Sequence, residues 1–163
     1  MSAASPKIKW LWASLLVVVL DQASKQIAEA QLTPHQPVNL FPYFDWYLTY
    51  NTGAAFSFLA DAGGWQRWLF TAIAIIMSIL IVQWIRQLPA EDTLTAVSLS
   101  LILGGAIGNL IDRIYLGHVI DYIQVWLGSY PFPAFNIADA AISVGAVLLI
   151  LSSFSGLGKS ATE

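Results

Sequence analysis

The chain has 163 residues, of which 57% are hydrophobic and 10% charged, with a formal net charge of −3 and a mean hydropathy of +0.66. That balance excludes an ordinary soluble domain and points to an integral membrane protein, while seven Lys and Arg scattered singly leave no basic surface for nucleic acid. The absence of cysteine excludes disulfides, thiolate metal sites, a Cys nucleophile and a lipidated N-terminal Cys.

In chain order, four segments reach the roughly 20 apolar residues that a bilayer span needs: about 8–28, 66–86, 94–116 and 136–155. The first follows Lys7 and Lys9, and WLWASLLVVVL also resembles the apolar region of a cleaved signal peptide. It continues, however, into Asp21-Gln22-Ala23-Ser24-Lys25 without a small-x-small site, so a retained helix is the reading adopted. The connection at about 29–65 is dense in aromatic and β-branched residues, with Pro37 and Pro42 near its start and Asn51-Thr52-Gly53 as a turn. Short strands are expected there, then an amphipathic helix at the interface, with Gly53, Gly63 and Gly64 as hinges of a flexible lid. A short QLPAED turn joins the second and third spans, a longer connection the third and fourth, and the SGLGKSATE tail is expected to fray.

Lys7, Lys9, Arg86 and Lys159 flank the spans on one side, so the positive-inside bias makes both termini cytoplasmic. Both long connections then lie outside, and the whole chain, 1–163, forms one polytopic domain.

Ionisable residues in a bilayer are costly, and each is a functional candidate. Asp21 and Lys25, four apart with the acid first, form a favourable helical pair, read either as a self-satisfying ion pair or as part of a site. Gly104, Gly105 and Gly108 permit close helix packing. Asn109, Asp112 and Arg113 make one face of the third span polar near its outer end. Asp112 either holds the Arg113 guanidinium aimed at a peptide carbonyl or carboxylate or makes a purely structural pair with it. Gly117 offers a break that lets Asp121 turn inward. Asn136 reads as a helix cap, with Asp139 as the acidic N3 residue.

A hairpin between the third and fourth spans would bring Asp121 and Asp139 together. Two carboxylates a few ångströms apart share a proton, which is the aspartic-protease arrangement. Other hydrolytic chemistries lack their parts: His35 and His118 are the only histidines, and no HExxH, GxSxG, Walker or dinucleotide motif occurs. A proton-coupled transporter would spread carboxylates through the membrane depth, and a scaffold would leave the aspartate pair unexplained.

Four blocks in order, DQASK at 21–25, YNTGAAFSF at 50–58, GGAIGNLIDRIYLGHVIDYI at 104–123 and FNIADAAI at 135–142, make the chain resemble bacterial lipoprotein signal peptidases (signal peptidase II) nearly end to end, without departure from the family's motifs. The resemblance implies an all-α membrane protein with four transmembrane helices, a small extracytoplasmic β-cradle and an interfacial helix. It implies an intramembrane aspartyl endopeptidase of the bacterial plasma membrane that cuts diacylglyceryl-modified prolipoproteins just before the lipidated cysteine. Its catalytic pair falls on Asp121 and Asp139, and its supporting positions on Asp21, Lys25, Asn51, Gly53, Gly105, Asn109, Asp112, Arg113, Asn136 and Ala138. Of these, Asn51, Asn109, Arg113 and Asn136 are the candidates for holding substrate or an inhibitor such as globomycin. No metal or cofactor is implied; the partners are prolipoproteins and membrane lipids, and the enzyme is expected to be a monomer.

Overall fold

The computed structural model describes residues 9–53 and 63–159. Four helices and four strands follow the order α1 (Leu11–Gln31), β1 (Val38–Phe41), β2 (Phe44–Asn51), α2 (Trp65–Gln87), α3 (Thr93–Tyr115), β3 (Val119–Leu127), β4 (Tyr130–Pro131) and α4 (Ile137–Lys159). Residues 54–62, where the interfacial helix was expected, lie outside the described residues, as do 1–8 and 160–163.

The helix ends follow local chemistry. α2 starts after Gly63 and Gly64, both at positive φ, and stops at Leu88, which the following Pro89 holds extended. Asp92 caps α3 by accepting a hydrogen bond from the Thr95 N–H at 3.2 Å. At the far end of α3 the chain breaks at Gly117, φ +86°, with the Leu116 and Gly117 N–H groups both donating to the Asp112 carbonyl.

α3 is the central helix, packing against α1, α2 and α4. Small residues allow the close approaches. A Cβ on Gly104 would meet Val17 and Ser14 of α1, and one on Gly145 would meet Ser98 and Ile102 of α3. Ser14 Oγ donates to the Ser100 carbonyl at 2.7 Å. An apolar cluster of Ile81, Ile85, Leu88, Ala96, Leu99 and Leu103 locks α2 to α3. Outward faces are apolar instead of polar, with Trp12, Leu16, Ile76, Trp68 and Val147 all exposed, as expected when lipid rather than water is the solvent.

Among the described residues three helices are long and apolar enough to cross a membrane: Trp65–Gln87, Thr93–Tyr115 and Ile137–Phe154. α1 is not one of them, because its second half carries Asp21, Gln22, Lys25, Gln26 and Glu29.

The sheet is open and antiparallel, ordered β1-β2-β3-β4. The small sheet expected beside the helices is present, with β1 and β2 inside 29–65 as expected, and the connection between α3 and α4 supplies its other half. The stretch IDYIQVWL is rich in β-branched and aromatic residues, a strand composition that the sequence analysis did not take up. β2 and β3 pair with Thr49 opposite Asp121 and Asn51 opposite Val119. Asp45 ties the tip together, accepting from Trp126 Nε1 at 2.7 Å and Asn39 Nδ2 at 2.8 Å. A second cluster, Ala28, Leu48, Ile120 and Tyr122, seats the sheet on the end of α1.

Candidate active site

After β4 the chain doubles back along β3. The Phe135 N–H donates to the Ile123 carbonyl, and the Tyr122 and Ile123 N–H groups donate to the Phe135 carbonyl. Asn136 is thereby delivered beside Asp121 just as α4 begins. A reciprocal cap fixes that helix start: the Asp139 N–H donates to Asn136 Oδ1 at 2.9 Å, and the Asn136 N–H donates to Asp139 Oδ2 at 3.3 Å. The expected cap is therefore present, and it belongs to the same cluster as the candidate pair.

Asn136 is fully buried, and its Nδ2 points at Asp121 Oδ1 (2.7 Å), the Ile120 carbonyl (3.2 Å) and Asn109 Oδ1 (3.2 Å). Asn51 Nδ2 donates to the other Asp121 oxygen at 3.3 Å, while its Oδ1 accepts from the Gly53 N–H. Asn109 Nδ2 donates to Asp139 Oδ1 at 2.8 Å. One asparagine thus touches both carboxylates, and each carboxylate has one further amide of its own.

Asp121 is 2% exposed. Burial first, and then the nearby Asp139 charge, push its carboxyl up to about 7 against the opposing hydrogen bonds from Asn51 and Asn136. Both carboxylates border a cavity of about 550 Å³, whose polar edge includes Asn51, Asn109 and Arg113 and whose other walls are apolar, with Val119, Phe132, Phe135, Ile142 and Val144 among them.

The supporting residues divide in a way the sequence did not indicate. Arg113 and Asp112 do not pair. Successive helical residues point about 100° apart, so Arg113 turns to the cavity, donating to the Gly53 carbonyl at 3.1 Å and lying over the Phe70 ring. Asp112 turns to α1 and meets Lys25 at 2.8 Å. The self-satisfied Asp21–Lys25 pair is likewise too simple: Lys25 holds Asp21, Asp112 and Asn109 together. Gly53 is buried and contributes backbone atoms. Gly105 has no room for a side chain, since a Cβ would run into the Ala138 carbonyl oxygen and Ile142. Ala138 is fully buried, and its N–H donates to Asp21 Oδ1 at 3.0 Å.

Three participants escaped the sequence reading. Gln22 donates to Asp112 Oδ1 at 2.8 Å and also reaches Asp21 and the Gly108 carbonyl; its place inside DQASK was the available signal. Arg67 caps the end of α3 by donating to the carbonyls of Arg113 and Ile114, each at 2.7 Å. The PFPAF run supplies an apolar wall of the cavity. Among the described residues no group of three or more His, Cys, Asp or Glu is arranged to hold a metal ion.

The chain is thus a polytopic, mostly helical membrane protein in which a buried carboxylate from a strand and a half-buried one from a helix start border one cavity. The family model for signal peptidase (SPase) II matches residues 13–155. The lipoprotein signal peptidase of Pseudomonas putida is 57% identical over 150 residues, 91% of this chain and 88% of that protein. That of Ectopseudomonas mendocina is 53% identical over 158 residues, 96% and 93% of the two chains. Two solved structures, each described as a bacterial membrane enzyme studied by the in meso method, superpose with TM-scores of 0.87 and 0.79 at 27% and 29% identity. The first covers 100% of this chain and 98% of its own, the second 93% and 96%. The chain belongs to the signal peptidase II family, and it is an aspartic peptidase that acts on prolipoprotein signal peptides in the membrane.

Proposed function

We propose that Asp121 and Asp139 are the catalytic pair and that the adjoining cavity receives the signal peptide in extended form, with the scissile bond between the two carboxylates. The observation that carries this reading is the sharing of Asn136 by two carboxylates that border one largely apolar cavity. With Asp121 protonated up to about pH 7, the pair holds one proton near neutrality. The ionised member removes a proton from water as the water oxygen bonds to the scissile carbonyl carbon, and the protonated member gives its proton to the carbonyl oxygen. Proton return to the amide nitrogen then breaks the C–N bond and leaves a carboxylic acid and an amine. Asn51 and Arg113, facing the cavity, supply donors to the backbone carbonyls of the substrate, while Asn109 and Asn136 keep the carboxylates aimed.

In this reading α1 is a fourth span. Its 21 residues extend about 31 Å at 1.5 Å per residue, enough for the hydrocarbon core, and its Asp21 and Lys25 charges are paired inside the bundle. Both termini are cytoplasmic, and the sheet and site lie at the outer surface of the plasma membrane, where the diacylglyceryl anchor holds the cleavage site just before the lipidated cysteine. Globomycin competes for the same cavity, and the enzyme acts as a monomer without a cofactor.

The test is cleavage of a diacylglyceryl-modified prolipoprotein by purified wild type, Asp121→Asn and Asp139→Asn. Wild type is expected to cut before the lipidated Cys, and each folded variant to lose at least about 10³-fold in rate, since the amide cannot move the proton. Near-normal cleavage by either variant would sink the assignment.

A further inference from the structure

The candidate carboxylates arrive on separate elements, one on β3 and one in the first turn of α4, so their spacing depends on a group that grips both. Asn136 touches both carboxylates directly, and Lys25 joins, through Asp21 and Asp112, the residues that precede them. The Lys25 side chain is 1% exposed, and its ammonium contacts Asp21 Oδ2 and Asp112 Oδ2, each at 2.8 Å. Each of these carboxylates also holds one backbone N–H, and the two are placed in parallel. Asp21 accepts from Ala138, the residue before Asp139, at 3.0 Å. Asp112 accepts from Ile120, the residue before Asp121, at 3.1 Å. Gln22 forms a second bridge between the same carboxylates.

Two more details fit this arrangement. Lys25 donates to Asn109 Oδ1 at 3.0 Å, which leaves Asn109 Nδ2 to face Asp139. A Cβ on Gly108 would stand 2.6 Å from Asp21 Oδ2, so α3 carries glycine where the carboxylate of α1 passes it to reach α4. None of Lys25, Asp21, Gln22 or Asp112 borders the cavity. Stability alone is a weak reason to bury such a triad, because desolvation of the charges offsets much of their attraction.

We propose that Lys25 is the positioning residue of the active site: by drawing Asp21 and Asp112 onto one ammonium it fixes Ala138 against Ile120, and hence the separation of the Asp139 and Asp121 carboxylates. This inference rests on the reading of Asp121 and Asp139 as the catalytic pair. A misplacement of about 1 Å at reacting groups lowers rates on the order of 10²-fold, whereas the apolar walls and Arg113, which Lys25 does not contact, keep substrate binding close to that of wild type.

The experiment compares full-length Lys25→Met with the charge-free triple variant Lys25→Met/Asp21→Asn/Asp112→Asn, which removes the buried unpaired carboxylates that threaten folding of the single variant. Folding is checked by monodispersity and thermal melting, and kcat and KM are measured well below the melting temperature on a diacylglyceryl-modified prolipoprotein, with Asp121→Asn as control. The expected result is a kcat lowered about 10²-fold in each variant that folds, with KM within about 3-fold of wild type. A folded variant with kcat within about 3-fold of wild type, or one that loses only KM, overturns the proposal while the dead Asp121→Asn control leaves the catalytic pair standing. An active Asp121→Asn control brings down the pair itself, and the positioning role with it.

Discussion

Asn136 caps α4 with Oδ1 while its Nδ2 reaches Asp121, and two substitutions separate these roles. Asn136→Ala removes both and loses about 1 kcal/mol from the cap alone. Asn136→Ser retains a capping oxygen but no amide donor. The serine variant is therefore expected to melt above the alanine variant while cleaving no better, and equal melting temperatures would show that capping is not the stabilising term. Asp121 gives a pH prediction of definite sign. The unfolded chain releases this proton near 3.8 and the folded protein only at about 7, so between those values the folded state binds more protons and stability falls as pH rises. Asp121→Asn removes that penalty. Its melting temperature is expected to exceed that of wild type by several degrees at pH 8, with the difference shrinking toward pH 4, because each tenfold difference in proton affinity between the folded and unfolded chain is worth about 1.4 kcal/mol. A constant difference across that range would refute the linkage.

Between elements, the decisive contacts are made at the glycines of α3 that the sequence marked for close packing. At Gly105 an added methyl meets backbone of α4, the Ala138 carbonyl oxygen, together with Ile142. Backbone cannot swing away as a side chain can, so Gly105→Ala must displace the helix start that carries Asp139. Overpacking of this kind costs about 1–3 kcal/mol, and cleavage is expected to fall at least about 10-fold below the melting temperature. Gly104→Ala is the matched control, since its methyl meets Ser14 and Val17 of α1 instead. Thermal melting should register both substitutions, and cleavage by the folded protein mainly the first. If Gly104→Ala is as inactive as Gly105→Ala, helix loosening in general rather than the position of α4 controls the rate.

For the molecule as a whole, the absence of cysteine makes sidedness directly measurable. Ser129, in the exposed turn between β3 and β4, and Glu91, in the exposed turn between α2 and α3, should lie on opposite faces of the membrane if the connections alternate. Single cysteines there are expected to differ in labelling by a membrane-impermeant maleimide applied to intact spheroplasts: Ser129→Cys reacts, and Glu91→Cys reacts only after lysis. Labelling of both without lysis would break the four-span reading, because it would put both ends of α3, the one helix between the two turns, on the same face of the membrane.

Solvent, helices and the cast of polar residues can all be read along the chain. Solvent and helices follow from composition and from long apolar runs, which are properties of consecutive residues, and the polar residues stand out because so few charges occur among them. The Asn136–Asp139 cap was legible for the same reason, being local. The partners of those polar residues are set by packing between elements. Asp112 looked like the mate of Arg113 by adjacency, yet it faces Lys25 on another helix, because neighbouring positions on a helix diverge and burial lets a distant ammonium win. β3 went unread because strand pairing is a long-range choice, made here when the connection after α3 met β2. The separation of the two carboxylates is likewise written in no local pattern: it comes from α1, α3, β3 and the start of α4 closing around one lysine.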